Sequence, residues 1–267
     1  MIKLAGLVLL GLMLSWGLKA ANLFQFRKTA KLKLSWLQGK LTSDECAILL
    51  KKSIYYQNLS DRSKKLFEKR VADFLNTKTF IPRNLADFTQ EMKLSIAATA
   101  IQVTYGLPSV SLAHFKYLLV YPDEYYSTIT RNYHKGEVNP KLKAIVLSWK
   151  YFELGNAEQE GINLGLHEIA HALRLENRIR NGESGFFKEA IMERWDKLAF
   201  SERVLINSGQ NSFFRDYGGT DNEEFFAVVV ENYFERPGQL VRHNRELYFI
   251  MCSFLNQNPL LMTNELA

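Results

Sequence analysis

The chain has 267 residues, of which 47% are hydrophobic and 23% charged, with a formal net charge of +6. That length can bury a sizeable core, and that balance excludes a disordered chain. Much of the positive surplus falls between Lys19 and Arg70, just after an apolar run, so it faces anionic lipid more simply than nucleic acid, and no nucleic-acid partner is expected.

The apolar run spans Leu4 to Leu18, short for a spanning helix and long for a signal-peptide core. No clean small-x-small cleavage pair follows it. Lys3 precedes the run and five basic residues follow it by Lys33. Residues 1–22 therefore read as a membrane anchor or uncleaved signal-like helix, with the domain on the cytoplasmic face and periplasmic display as the alternative. Residues 23–54 read as a basic juxtamembrane segment and 55–267 as one domain. Cys46 and Cys252 lie far apart without metal-type spacing and read as free thiols.

Within the domain, Ser60 caps a predicted helix over DRSKKLFEKRVADFLNTK, with Leu66, Phe67, Val71, Phe74 and Leu75 as its buried stripe. A second helix is predicted from about Thr89 to Tyr105, ended by Gly106-Leu107-Pro108. The period then changes: Tyr117–Tyr121 and Ala144–Trp149 are short β-branched or aromatic runs that read as strands. Helical spacing returns at roughly 161–177, 185–206, 221–235 and 239–256, with a polar loop from Asn207 to Gly219. Helices, a small sheet, then helices make an α+β domain.

The helix at 161–177 carries His167-Glu168-Ile169-Ala170-His171, an HExxH motif. Histidines four apart share a helix face, so both rings can reach one ion at about 2.0–2.1 Å. Glu168 sits one residue round and can approach a metal-bound water without being a ligand, the arrangement of a zinc peptidase with Glu168 as general base. Apolar neighbours such as Leu166, Ile169 and Leu173 imply burial, where two imidazoles and a carboxylate need a partner. A catalytic zinc needs a third protein ligand. His114, His134 and His243 stand alone, whereas the run Asp221-Asn-Glu223-Glu224-Phe-Phe-Ala-Val-Val-Val-Glu231 offers three carboxylates on one apolar helix. Residue physics leaves Glu223, Glu224 and Glu231 in competition.

HEIAH, followed about fifty residues later by a Tyr and then EEFFAVVVENYF, resembles the Mlc titration factor A family of zinc peptidases. These are gluzincins related in their catalytic core to the lethal-factor peptidase. The likeness extends through YYQNLSDRSKKLFEKRVADFL, MKLSIAATAIQVTYG, FKYLLVYPDEYY and HKGEVNPKLKAIVLSW, covering most of residues 55–257. It implies a mostly helical, zincin-like metallopeptidase domain with a small mixed sheet, Zn2+ as cofactor, Glu224 as third ligand and Tyr217 as donor to the developing oxyanion. It also implies an aminopeptidase-like activity on a peptide or protein substrate, with a transcriptional regulator as an alternative partner captured rather than cut. A metal-stabilised scaffold without turnover is a third, weaker reading. Glu231, two turns beyond Glu224, is a candidate acceptor behind a ligand imidazole. The strand at Ala144–Trp149 takes the place of the substrate-binding edge strand of zincins. Two departures stand out: Ala172-Leu173-Arg174 where many members have Gln-Leu-Asp, and GEVN in place of a GEAW-like stretch.

Overall fold

A computed structural model of the chain describes residues 39–127, 131–179, 185–209 and 212–264. The apolar run from Leu4 to Leu18, read above as an anchor, lies outside the described residues. Among the described residues no helix is long and apolar enough to cross a membrane. The elements below belong to one compact unit, Thr42–Ala267. Residues 43–57 form two helices of that unit, α1 (Ser43–Lys52) and α2 (Ile54–Gln57). A reciprocal capping box between Thr42 and Glu45 starts the first.

Helix α3 (Asp61–Thr77) begins where the sequence predicts, its Ser60 side chain accepting from the Ser63 amide. The stripe differs by one residue. Phe67, Val71 and Phe74 are buried at helical spacing, while Leu66 is 49% exposed, about a hundred degrees round from that seam. Helix α4 (Gln90–Thr104), capped by Thr89, is buried along almost its whole length. Small side chains at Ser95, Ala97, Ala98 and Ala100 let neighbours approach it closely.

The strands are β1 (Thr79–Pro82), β2 (Tyr117–Tyr121), β3 (Tyr125–Ser127), β4 (Asn132–His134), β5 (Gly136–Asn139) and β6 (Ala144–Ser148). Four of them form a mixed sheet in the order β1-β2-β6-β5, and β3 pairs with β4 in a separate antiparallel hairpin. β1, β2 and β6 run parallel, with Leu118 opposite Ile145 and Val120 opposite Leu147, whereas β5 is antiparallel to β6. All five residues of β6 are buried, which is why it reads as a continuous apolar run rather than an alternation. That burial overturns one expectation. β6 lies between β2 and β5 and has no free edge, and Trp149 opens a further helix, α5 (Trp149–Ala157), between the strand and the site helix. The sheet margin beside the site is β5.

The remaining helices are α6 (Leu164–Ile179), α7 (Glu189–Asn207), α8 (Asn222–Glu235), α9 (Pro237–His243), α10 (Arg245–Leu255) and α11 (Pro259–Asn264), with a 3-10 turn at Asp216–Gly219. The single helix expected over 239–256 is thus two. The break falls at Asn244, which leaves helical geometry and turns its side chain to cap the Leu247 amide. α8 packs along α6 and buries Phe225 through Val230 completely. Beneath it Trp195 meets Phe225 and Phe226 at ring separations of 5.6 and 5.3 Å. The fold is therefore mostly helical with a small mixed sheet, and it lays two rigid helices, α6 and α8, side by side under the edge of β5.

Candidate metal centre

Helix α6 starts sharply. Gly161 adopts φ +77°, a left-handed conformation that suits glycine, and the Asn163 side chain accepts from the Leu166 amide at 3.0 Å. Helical geometry from Leu164 then sets His167 and His171 on one face. On α8 the Asp221 carboxylate accepts from the amides of Glu223 and Glu224 at 2.8 and 2.9 Å, fixing the first turn. Glu224 and Glu231, seven residues apart, consequently share the face turned towards α6.

The three competing carboxylates have different fates. Glu223 is taken by Arg174, at 3.1 Å, and by Arg178. Arg174 is itself 5% exposed, so this pairing holds Glu223 away from the two rings. Glu231 lies behind His167, its Oε1 2.5 Å from Nδ1. Only Glu224 faces both rings: its Oε2 lies 3.0 Å from His167 Nε2 and 3.3 Å from His171 Nε2, and the two Nε2 atoms are 3.0 Å apart.

Those separations carry chemical information. Ligands at about 2.0–2.1 Å on a tetrahedral ion stand about 3.3 Å from one another. The triangle of two Nε2 atoms and one carboxylate oxygen is therefore close to one face of such a site. With Nδ1 of His167 donating to Glu231, the ring directs its Nε2 lone pair into the triangle. Electrostatics agree. Burial opposes a charge on His167, yet Glu224 and Glu231 outweigh it and raise the ring to about 10. Burial likewise pushes Glu224 up, and the two imidazoles reverse this, holding its carboxyl well below the usual range. A pocket that stabilises positive charge this strongly suits a cation, and the donor set fits a divalent metal.

Glu168 is 5% exposed, and burial raises its carboxyl to about 7, with His167 and His171 pulling the other way. It rests against β5 at Gly136, where a Cβ would overlap the carboxylate. Glycine in the GEVN stretch is what lets the edge strand pass so close. Tyr217 stands on the 3-10 turn with its ring centroid 5.8 Å from that of His167. Burial raises its phenol to about 12, and the Glu224 carboxylate adds to the shift. A cleft of about 580 Å³ opens over Glu168 and His167, rimmed by Tyr133, Lys135, Tyr151, Leu154, Ile162 and Tyr217.

The residues singled out from sequence fall into two groups, with His134, at the end of β4, lining the cleft outside the triangle. His167, His171 and Glu224 converge, Glu168 and Tyr217 flank them, and Glu231 supports His167 from behind. His114 and His243 are engaged elsewhere, by the Pro140 carbonyl and by Glu202. Sequence reasoning missed Arg215, whose Nη2 is 2.6 Å from Glu231 Oε1. It also missed Asn163, whose main-chain N–H donates to Glu231 Oε2 at 3.1 Å and whose side chain donates to Glu235 at 2.9 Å. Neither carries a spacing signal.

Comparison with known proteins places the chain among relatives of similar length. The uncharacterized protein slr2042 of Synechocystis sp. is 30% identical over 231 residues, covering 80% of this chain and 84% of its own. Mlc titration factor A of Escherichia fergusonii is 26% identical over 209 residues, 70% of this chain and 77% of its own. The protein of the same name in Cronobacter sakazakii is 26% identical over 228 residues, with shares of 76% and 82%. A family model described as glucose-regulated metallo-peptidase M90 matches residues 25–255, nearly the whole of the fold that carries the two histidines and their carboxylates, and the chain belongs to that family.

Proposed function

We propose that this chain is a zinc-dependent peptidase of the HExxH gluzincin type, with His167, His171 and Glu224 as zinc ligands and Glu168 as general base. The observation that carries the reading is the triangle of Nε2, Nε2 and carboxylate oxygen with a buried carboxyl beside it. His167, His171 and Glu224 would hold the zinc, which would supply the Lewis acidity that polarises a peptide carbonyl and makes water nucleophilic near neutral pH.

The protein's own groups do the rest. Glu168 takes the proton of the attacking water and returns it to the leaving amine, a task suited to a buried carboxyl beside the two rings. Tyr217, with its phenol raised to about 12, stays protonated at neutral pH and donates to the oxyanion. A substrate backbone pairing with the outer margin of β5 would lie across Glu168 and the two rings, held by main-chain hydrogen bonds that tolerate many side chains. The test uses aminoacyl p-nitroanilides alongside internally quenched peptides. Hydrolysis should disappear with a chelator and return with stoichiometric zinc, and the class of reporter cut distinguishes aminopeptidase from endopeptidase. Hydrolysis indifferent to the chelator would remove the metal from the reaction.

The relatives named Mlc titration factor A support a second reading, a metal-containing regulatory protein that sequesters a protein partner such as a transcriptional regulator. Under that reading proteolysis is incidental, and Glu168→Gln should still capture the partner in a pull-down.

A further inference from the structure

Tyr217 sits on a turn whose backbone is firmly tied. The Gly219 carbonyl accepts from Asn207 Nδ2 at 3.1 Å and from the Arg203 guanidinium, and the Gly218 amide closes the turn onto Arg215. The Tyr217 side chain, by contrast, is 49% exposed. An aromatic side chain with that much freedom ordinarily samples several rotamers. The Tyr217 hydroxyl is hydrogen-bonded to the Glu224 carboxylate and its ring lies by His167, and a third contact comes from two residues earlier: the Arg215 guanidinium carbon is 5.4 Å from the Tyr217 ring centroid. The same guanidinium reaches the fully buried Glu231 through Nη2 at 2.6 Å, while its Nε is buried without a hydrogen-bond partner. An arginine donor left unpaired is unfavourable, so the guanidinium gives up one hydrogen bond while it lies between the carboxylate and the ring.

We infer that Arg215 is a positioning residue for Tyr217: Glu231 anchors the guanidinium, and its flat face holds the phenol over the His167 ring. The inference rests on the reading of Tyr217 as oxyanion donor. Arginine suits the post because a planar cation can pair with a carboxylate at its fork while presenting a face to an aromatic ring. Lysine would satisfy Glu231 but offers no face.

The test uses the zinc-loaded, full-length protein with ring-13C tyrosine, the Tyr217 signal being identified by its loss in Tyr217→Phe. In Arg215→Met the Tyr217 signal should move toward a rotamer-averaged position. kcat should fall about tenfold, a part of what one oxyanion donor contributes, with KM and chelator-competed zinc affinity little changed. Introduced into Tyr217→Phe, the same substitution should cost no more than about twofold, because the two residues act as one unit. Arg215→Lys, which keeps the charge on Glu231 and guards against a folding defect, should displace the Tyr217 signal as well. An unmoved Tyr217 signal in both variants overturns the inference, as does a full tenfold loss persisting in the Tyr217→Phe background. Full kcat in Tyr217→Phe would instead remove the donor role itself, and the ring signal would still decide the positioning.

Discussion

Replacing Glu168 by glutamine is expected to lower kcat by roughly 10³-fold, the middle of the range for a positioned general base, while zinc remains bound. Glutamine has the shape of glutamate and fits the same space against Gly136, so the proposed ligands His167, His171 and Glu224 are not disturbed. It cannot accept the proton of the attacking water. A second consequence follows from the buried site. Burial raises Glu168 to about 7 in the folded chain, against an ordinary value of 4.5. The folded state therefore holds the proton more tightly than the unfolded state does. Stability is lost as pH rises from about 4.5 through about 7, because a carboxylate must then ionise in a buried pocket. The neutral amide escapes that loss, so metal-free Glu168→Gln should melt above the metal-free parent at pH 8 and alongside it at pH 4. Steady-state kinetics, zinc content and paired melts check all three expectations. An active glutamine variant would take Glu168 out of the mechanism.

The second large effect is expected at Glu231. This carboxylate is completely buried and has three partners: His167 Nδ1 at 2.5 Å, Arg215 Nη2 at 2.6 Å and the Asn163 main-chain N–H at 3.1 Å. Its removal leaves all three donors short of an acceptor. Glu231→Ala should destabilise the metal-free protein by about 3 kcal/mol, the usual scale for breaking a buried ionic contact from one side. It should also weaken zinc binding by about 10- to 100-fold, since His167 loses the acceptor that fixes its tautomer and raises its basicity. Glu231→Gln keeps one oxygen, which can serve His167 and Arg215 at the Oε1 position while the Asn163 amide loses its acceptor, and should lose less on both counts. Urea unfolding and chelator competition read the two effects separately. Alanine binding zinc as tightly as the parent would mean that His167 needs nothing behind it.

Parts of this were legible in the sequence because they depend on local spacing. Two histidines four apart on an apolar helix state their own geometry, and Ser60 and Thr89 mark helix starts through their side chains alone. The strand β6 was legible because it is buried on both sides and so carries an unbroken apolar run, and β2 because it is a short run of aromatic and aliphatic residues, although only Leu118 and Val120 in it are buried. What failed depends on neighbours in space. Glu223, Glu224 and Glu231 are alike along the chain, and only the docking of α8 on α6, together with the arginines that claim Glu223, separates them. The sheet margin beside the site is GEVN, four half-buried residues without an apolar signature, so in the sequence the neighbouring strand β6 stands out instead. Leu66 lies next to Phe67 in sequence but points to solvent, a difference of one helical step that composition cannot fix. Arg215 has no motif at all. Its place is set by a turn tied to α7 from one side and by a buried carboxylate on the other.

The central claim is one zinc ion held by two imidazoles on α6 and a carboxylate from α8. Metal analysis of the purified chain and its Glu224→Ala variant, each dialysed against the same buffered zinc concentration, tests it most directly. The account predicts about one zinc per chain in the parent, as expected for a site with three protein ligands, and little in the variant. Equal zinc in the two proteins, or none in the parent at a saturating concentration, would contradict it.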